Sequence, residues 1–197
     1  IDLLGTYETL LRKWQTTINL VAPSTLDSIW HRHFADSAQL LNFAPLAARF
    51  WLDLGSGAGF PGLVLAILLR EKNPAARMTL VESDSRKAAF LREVARQTGT
   101  VVDIYAGRIE NLSTQAKVPR ADVITARALA SLTKLLELSR PFFGPTTKAL
   151  FLKGAACASE IEEAKAIFRF DCEQHPSITE SGARIAVVAN VRAKTEG

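Results

Sequence analysis

The stretch Trp51-Leu-Asp-Leu-Gly-Ser-Gly-Ala-Gly-Phe-Pro-Gly62 sets four glycines among eight residues, with a short apolar run before it and another after it. Glycine admits positive φ and carries no Cβ, so a run this dense marks a place where a ligand lies against bare backbone. The residues before it, 50–54, read as a strand, and those after it, 61–72, as a helix whose first turn holds Pro61, a residue with φ already near the helical value.

Outward from this unit the chain keeps alternating. Strand-like segments fall at 78–82, 101–105, 122–126 and 148–153. Helical segments fall at 85–97, ended by Gly99, at 131–140, ended by Pro141, and at 159–168. Two closing strands, 170–175 and 184–192, are joined through Glu180-Ser181-Gly182, which is turn chemistry, so this last pair is expected to be antiparallel. Repeated β-α units predict a seven-stranded, mostly parallel α/β sheet with helices on both faces. With its C-terminal antiparallel hairpin this is the Rossmann-like class I layout of adenosylmethionine-dependent methyltransferases.

Upstream, Leu4, Tyr7, Leu11, Trp14 and Ile18 recur at helical spacing and predict a helix over 2–19. Pro23-Ser24-Thr25 then breaks and caps. A second helical pattern runs through Leu26, Ile29, Trp30, His33, Phe34, Ser37 and Leu41. The expectation is one methyltransferase domain, with an N-terminal helical subdomain over 1–48 and a catalytic core over 49–197.

Composition sets bounds on this reading. The 197 residues suffice for one domain with a full core, and 48% hydrophobic with 22% charged residues is ordinary globular usage. The longest apolar run, Leu63 to Leu69, stops at Arg70 and Glu71, short of the roughly 20 residues that span a bilayer. Asp2, Glu8, Arg12 and Lys13 interrupt any leader-like stretch, so no membrane association and a cytoplasmic location are expected, with a monomer as the default. The chain begins with Ile1 rather than Met, and further residues are expected before it. Cys157 and Cys172 have neither metal-ligand spacing nor a disulfide framework and read as small core residues. A net charge of +4 and a pI near 9.3 fit a polyanionic partner without demanding one.

In an open parallel sheet the turn after the first strand is the expected cofactor loop. Residues 57–62 spell a formal G-x-G-x-x-G, but Pro61 deletes a backbone donor that a pyrophosphate would use. Read from the strand end, the pattern is Asp53-x-Gly55-x-Gly57-x-Gly59, the methyltransferase form, in which the acid faces the amino group of methionine. Glu82, closing the second strand, suits two ribose hydroxyls in either cofactor; its bland role is a helix-capping acid. Arg108-Ile109-Glu110, after the third strand, falls where an adenine ring lies in this architecture, or forms a solvated turn.

These segments, together with Ile18-Asn-Leu20, His33-Phe-Ala-Asp-Ser37, Thr125-Ala-Arg-Ala-Leu-Ala-Ser-Leu132 and Leu152-Lys-Gly154, occur in an order that resembles the glucose-inhibited division protein B family, the bacterial small-subunit rRNA guanine-N7 methyltransferases. The resemblance runs from about residue 7 to residue 192. It implies S-adenosylmethionine as cofactor, with S-adenosylhomocysteine as product. The implied substrate is one guanine of 16S rRNA, naked or within the small ribosomal subunit. By motif, cofactor contacts fall on Gly55, Phe60, Ile109, Glu110 and Arg127. Glu82 stands where many members have Asp, and Phe60 where some have Leu.

Guanine N7 has an in-plane lone pair and no proton at neutral pH, so alignment matters more than a base. The chain accordingly lacks the Asn/Asp-Pro-Pro-Tyr/Phe motif of exocyclic-amine enzymes and the Pro-Cys nucleophile of C5-pyrimidine enzymes. Arg127 and Lys153, at two strand ends, are expected to project over the carboxyl edge of the sheet. There Arg127 would orient the cofactor or guanine O6 and Lys153 a phosphate, with Arg108 assisting. His33 and Asp36 are expected to share an intrahelical hydrogen bond. Trp14 and Trp30 read as core aromatics. Arg12, Lys13, Arg32, Arg86 and Lys87 are candidate phosphate contacts. Three other readings are a small-molecule methyltransferase with an enclosed apolar pocket, an NAD-dependent oxidoreductase, and an RNA-binding module with an empty cofactor fold. Pro61 and the lack of a Tyr-x-x-x-Lys pair disfavour the second, and the intact glycine loop the third.

Overall fold

The computed structural model describes residues 2–115 and 118–194. Its strands are β1 (Phe50–Leu54), β2 (Arg77–Glu82), β3 (Asp103–Ala106), β4 (Ala121–Arg127), β5 (Phe143–Lys153), β6 (Phe168–Pro176) and β7 (Arg184–Ala193). They form one sheet in the order β3-β2-β1-β4-β5-β7-β6, in which β7 runs antiparallel to both of its neighbours. The helices are α1 (Leu3–Gln15), the single turn α2 (Asp36–Ala38), α3 (Gly62–Lys72), α4 (Ser85–Thr98), α5 (Ile109–Gln115), α6 (Leu132–Ser139) and α7 (Cys157–Ile167).

The central strands are apolar on both faces because helices cover both. Trp51, Leu80, Val123 and Leu150 belong to the core shared with α1, α3 and α4. Their chain neighbours Leu52, Val81, Ile124 and Phe151 belong to the opposite core, under α5, α6 and α7. This two-residue alternation decides where every strand-end side chain goes. Asp53, Thr125 and Arg127 share the parity of the first face, whereas Lys153 has the parity of the second.

The helix ends follow local chemistry. Asp2 caps α1 by accepting from the N–H of Gly5 at 3.0 Å. Asp84 caps α4 through the N–H groups of Arg86 and Lys87, and Gly99 closes that helix with φ +61°.

Besides element ends that move by a few residues, among them β5, which starts at Phe143 rather than at 148, the structure departs from the expected elements in four places. The first helix stops at Gln15, and Ile18 is buried beyond its end. The second is not one α-helix. It is a succession of 3₁₀ turns at Pro23–Ser28, π-helical turns at Trp30–Ala35, the α turn α2, and further 3₁₀ turns at Gln39–Asn42. The wide π turns set both His33 and Phe34 inward, and such segments concentrate at functional sites. Pro61 precedes α3 rather than opening it, and the Phe60–Pro61 bond is cis. Ile109 and Glu110 begin a helix, α5, where a turn was the bland expectation.

Candidate active site

The glycine loop sits at the carboxyl end of β1, where the sheet order reverses between β1 and β4. Its two ends meet different neighbours. Gly57 has φ +55°, and a Cβ there would meet nothing closer than the carbonyl oxygen of Gly55 at 3.9 Å, so this residue faces open space. A Cβ on Gly62 would lie 2.5 Å from both Asp53 Cβ and Leu80 Cδ2. The outer end is therefore bare toward open space, and the inner end is bare toward the protein's own packing.

The loop is gripped from both sides. Glu82 Oε2 accepts from the N–H of Gly57 and Oε1 from the N–H of Asp84, each at 2.7 Å, so one carboxylate ties the loop to the cap of α4. From α1, the hydroxyl of Tyr7 donates to the carbonyl of Ala58, and the Tyr7 ring stacks on Phe60 at 5.4 Å with 9° between planes.

A groove of about 360 Å³ runs along the loop, lined by Gly55, Gly57, Phe60, Glu82, Lys87 and Arg127 among others. A smaller niche of about 160 Å³ continues from it past Gly55, Ser83 and Leu129 to Arg108, Ile109 and Glu110. On the other side of Leu20, Arg127 and Ala128 lies a second cavity of about 380 Å³, whose wall includes Arg32, Asp36, Lys153, Glu180 and Arg184. Ala128 holds the partition in the left-handed region, φ +50°, a conformation that costs a non-glycine residue about 1 kcal/mol. No glycine signals this in the sequence.

Arg127 is held by four neighbours. Nη1 donates to the carbonyl of Arg32 at 3.1 Å and pairs with Asp36 at 3.4 Å. Nη2 donates to His33 Nδ1 at 2.8 Å, and the guanidinium lies 5.0 Å above the centre of the Phe60 ring. Burial, with the Arg127 and Arg32 cations next, lowers the His33 pKa to about 4. The imidazole is therefore neutral at pH 7. Since Nδ1 accepts from Arg127, Nε2 carries the proton and donates to Thr25 Oγ1 at 2.8 Å. The expected His33–Asp36 hydrogen bond is not made: both side chains turn to Arg127 instead. Asp36 Oδ1 accepts from Thr179 Oγ1 at 2.6 Å and from Gln39 Nε2 at 2.9 Å, which docks the β6–β7 connection onto the N-terminal segment.

Asp53 lines none of these cavities. It is fully buried, its Oδ1 accepts from Thr125 Oγ1 at 2.6 Å, and Oδ2 has no hydrogen-bond partner of regular geometry. Burial raises its pKa to about 6, against the opposing pull of Ser56, Thr125 and the Gly62 N–H. The parity of β1 aims it under α3 rather than at a ligand. Lys153 leaves its strand on the face opposite Arg127, and its Nζ pairs with Glu160 at 2.6 Å and donates to the carbonyl of Ala130 at 2.9 Å. Arg127 and Lys153 nonetheless both line the second cavity, while Arg108 borders the niche. Trp30 is not core: it is 46% exposed, with its indole N–H on Glu8. Trp14 packs on Phe90. Arg12 is tied to Glu8 and to the carbonyl of Leu26, and Arg86 to Asp84.

Residues 1–187 match the model of the family described as rRNA small subunit methyltransferase G. The fold is that of class I methyltransferases. The O-methyltransferase from Bacillus cereus in complex with SAH superposes with a TM-score of 0.65 over 94% of this chain and 91% of that one, at 15% identity. The "Ribosomal RNA small subunit methyltransferase G" of Parvibaculum lavamentivorans is 51% identical over 177 residues, covering 90% of this chain and 77% of that protein. The protein of the same name from Jannaschia sp. is 47% identical over 197 residues, covering 100% and 92%. The chain therefore belongs to the rRNA small subunit methyltransferase G family.

Proposed function

We propose that this protein transfers a methyl group from S-adenosylmethionine to N7 of one guanine in 16S rRNA. The observation that carries the reading is the pair of cavities sharing Leu20, Arg127 and Ala128: one is floored by bare glycine backbone, and the other is rimmed by Arg32, Arg127, Lys153 and Arg184. S-adenosylmethionine, when bound, supplies an electrophilic methyl group on sulfur.

The residues present fit that cofactor. Gly57 leaves room for it, Glu82 offers carboxylate oxygens to the ribose, and the niche beside Ile109 and Glu110 has the place and apolar wall for adenine. Asp53 acts on it through the packing of the loop, not by contact. Arg127, immobilised by His33 and Asp36, is a positioning group common to both ligands. The guanine nucleophile has no proton to lose, so the side chains around it need only hold the base in line and keep it there. Lys153, already paired, shapes the wall, which leaves Arg184 and Lys87 as cations for adjoining phosphates.

The helical segment before β1 belongs to the same functional unit, a reading supported by the reach of Tyr7 to Ala58. No described helix is long and apolar enough to cross a membrane; a cytoplasmic monomer acting on ribosomal RNA is the simplest setting. A small-molecule methyltransferase of this fold is disfavoured because the second cavity carries Arg32, Arg127, Lys153 and Arg184 against Asp36 and Glu180, an excess of cations that a small apolar substrate does not call for.

The test is incubation with labelled S-adenosylmethionine and either naked 16S rRNA or assembled small subunits. The expected result is label at a single guanine, located by borohydride and aniline cleavage. Label on no RNA would overturn the proposal.

A further inference from the structure

Two charged side chains on the second cavity, Arg32 and Glu180, pair with each other. Arg32 Nη1 lies 3.2 Å from Glu180 Oε1, and the two side chains are 37% and 51% exposed. Both line the cavity. An exposed pair of this kind gains little in water and exchanges partners readily.

The backbones beneath them do not share that freedom. The carbonyl of Arg32 is held by Arg127. The 177–180 segment is held by Thr179 Oγ1 on Asp36, by the N–H of Ile178 on Gln39 Oε1 at 3.0 Å, and by Gln39 Nε2 on Ser177 Oγ at 3.1 Å. The molecule thus fixes two anchor points and leaves a donor and an acceptor side by side at the mouth of the cavity. The other charged groups of that wall are more committed: Asp36 already accepts from Thr179, Gln39 and Arg127, and Lys153 is paired with Glu160. Among the described residues, Glu180 is the cavity carboxylate whose one side-chain partner is an exposed cation.

We propose that Arg32 and Glu180 are the groups that select guanine, Arg32 donating to O6 and Glu180 accepting from N1–H and the N2 amino group. This rests on the guanine reading above and deepens it. Guanine presents, in sequence around its ring, N7, the O6 acceptor, the N1–H donor and the N2 amino donor. An arginine beside a carboxylate is the complement of the middle of that series. The frequent pairing of arginine with guanine takes O6 and N7 together. Here N7 must stay bare for reaction, so arginine is confined to O6 and the carboxylate supplies the rest of the grip. Adenine reverses both signs: its N6 amino group would meet the guanidinium and its bare N1 lone pair the carboxylate. A site built on such contacts rejects the wrong base because its own polar groups are left unpaired.

The experiment compares the wild-type chain with Glu180→Gln on 16S RNA carrying guanine or inosine at the methylated position; inosine lacks only the N2 amino group. Wild type is expected to lose about tenfold in kcat/KM on inosine, and Glu180→Gln about 30-fold on guanine, the range of a lost charge-assisted hydrogen bond. In the variant the inosine penalty should shrink below about threefold, because both changes remove one shared contact. Calorimetric affinity for S-adenosylhomocysteine should be unchanged, which a distorted fold would not allow. The proposal is overturned if Glu180→Gln stays within threefold of wild type on guanine, or if wild type shows no inosine penalty. The inosine arm needs no variant and so decides even if Glu180→Gln folds poorly. Should wild type methylate no guanine in any RNA, the reading beneath fails and this one with it; methylation indifferent to Glu180 sinks this inference alone.

Discussion

The glycine loop contains two regions that look alike in sequence and differ in cause. At Gly57 the missing Cβ faces the groove, and a carboxylate, Glu82, holds the backbone from the side. At Gly62 the missing Cβ faces Asp53 and Leu80, inside the protein. One end has its small residues where the groove is open, as the proposed cofactor site requires, the other for the sake of a helix that must start directly beneath a strand end. Glycine density alone therefore does not count ligand contacts.

Substitutions should separate the two ends. Gly62→Ala forces a methyl group to within 2.5 Å of Asp53 Cβ and Leu80 Cδ2, and overpacking of this degree costs about 3 kcal/mol. Chemical denaturation should report that loss, and a melt within about 0.5 kcal/mol of wild type would show that α3 can slide. Glu82→Gln comes next. It turns an amide N–H₂ toward one of two backbone donors, so S-adenosylhomocysteine affinity should fall roughly 30-fold, near 2 kcal/mol; calorimetry giving an unchanged Kd would mean that the loop keeps its shape without the carboxylate. Gly57→Ala has the opposite profile to Gly62→Ala. Backbone strain costs about 1 kcal/mol in folding, while the added methyl group occupies the groove and weakens cofactor binding about tenfold. If its melt drops further than that of Gly62→Ala, the assignment of the two ends is reversed.

The smallest effect is a pH slope. The His33 pKa is depressed from 6.5 to about 4. The unfolded chain therefore takes up that proton first, and the contribution to stability is lost as pH falls through this window. The Asp53 pKa is raised from 3.8 to about 6. The folded chain holds that proton better, and this contribution is lost as pH rises through its window. Between pH 4 and 6 the two oppose each other. Asp53→Asn removes one of them, so stability relative to wild type should rise with pH there, by at most about 1.4 kcal/mol per pH unit. Parallel stability curves for variant and wild type would show that Asp53 titrates normally.

The sheet was legible because its signals are local. The short apolar runs of β1 and β4, the Gly99 stop and the Glu180-Ser181-Gly182 turn each act over a few residues. The seven strands duly appear in the expected order of alternation with helices. The site was legible only where backbone was the message. The loop at Gly55, Gly57 and Gly59 could be placed from sequence; the destination of Asp53 could not, since it depends on which face of β1 lies under α3. Arg127 and Lys153 illustrate the same limit, because two cations at neighbouring strand ends leave on opposite faces by a parity that only strand register reveals. The second helical segment misled for another reason: an apolar recurrence of three and four residues does not distinguish α turns from the π turns that bring His33 and Phe34 inward together. Arg32 and Glu180 carry no motif and are 148 positions apart in the chain, so nothing short of the fold pairs them.

A single guanidinium, that of Arg127, forms part of the wall of both cavities, so on the proposed reading filling one of them alters a surface that the ligand of the other would touch. Thermodynamic reciprocity then requires that whatever factor RNA adds to the affinity for the methyl donor, the methyl donor adds to the affinity for RNA. On the proposed reading that coupling needs no moving domain, because the wall that carries it is a single side chain.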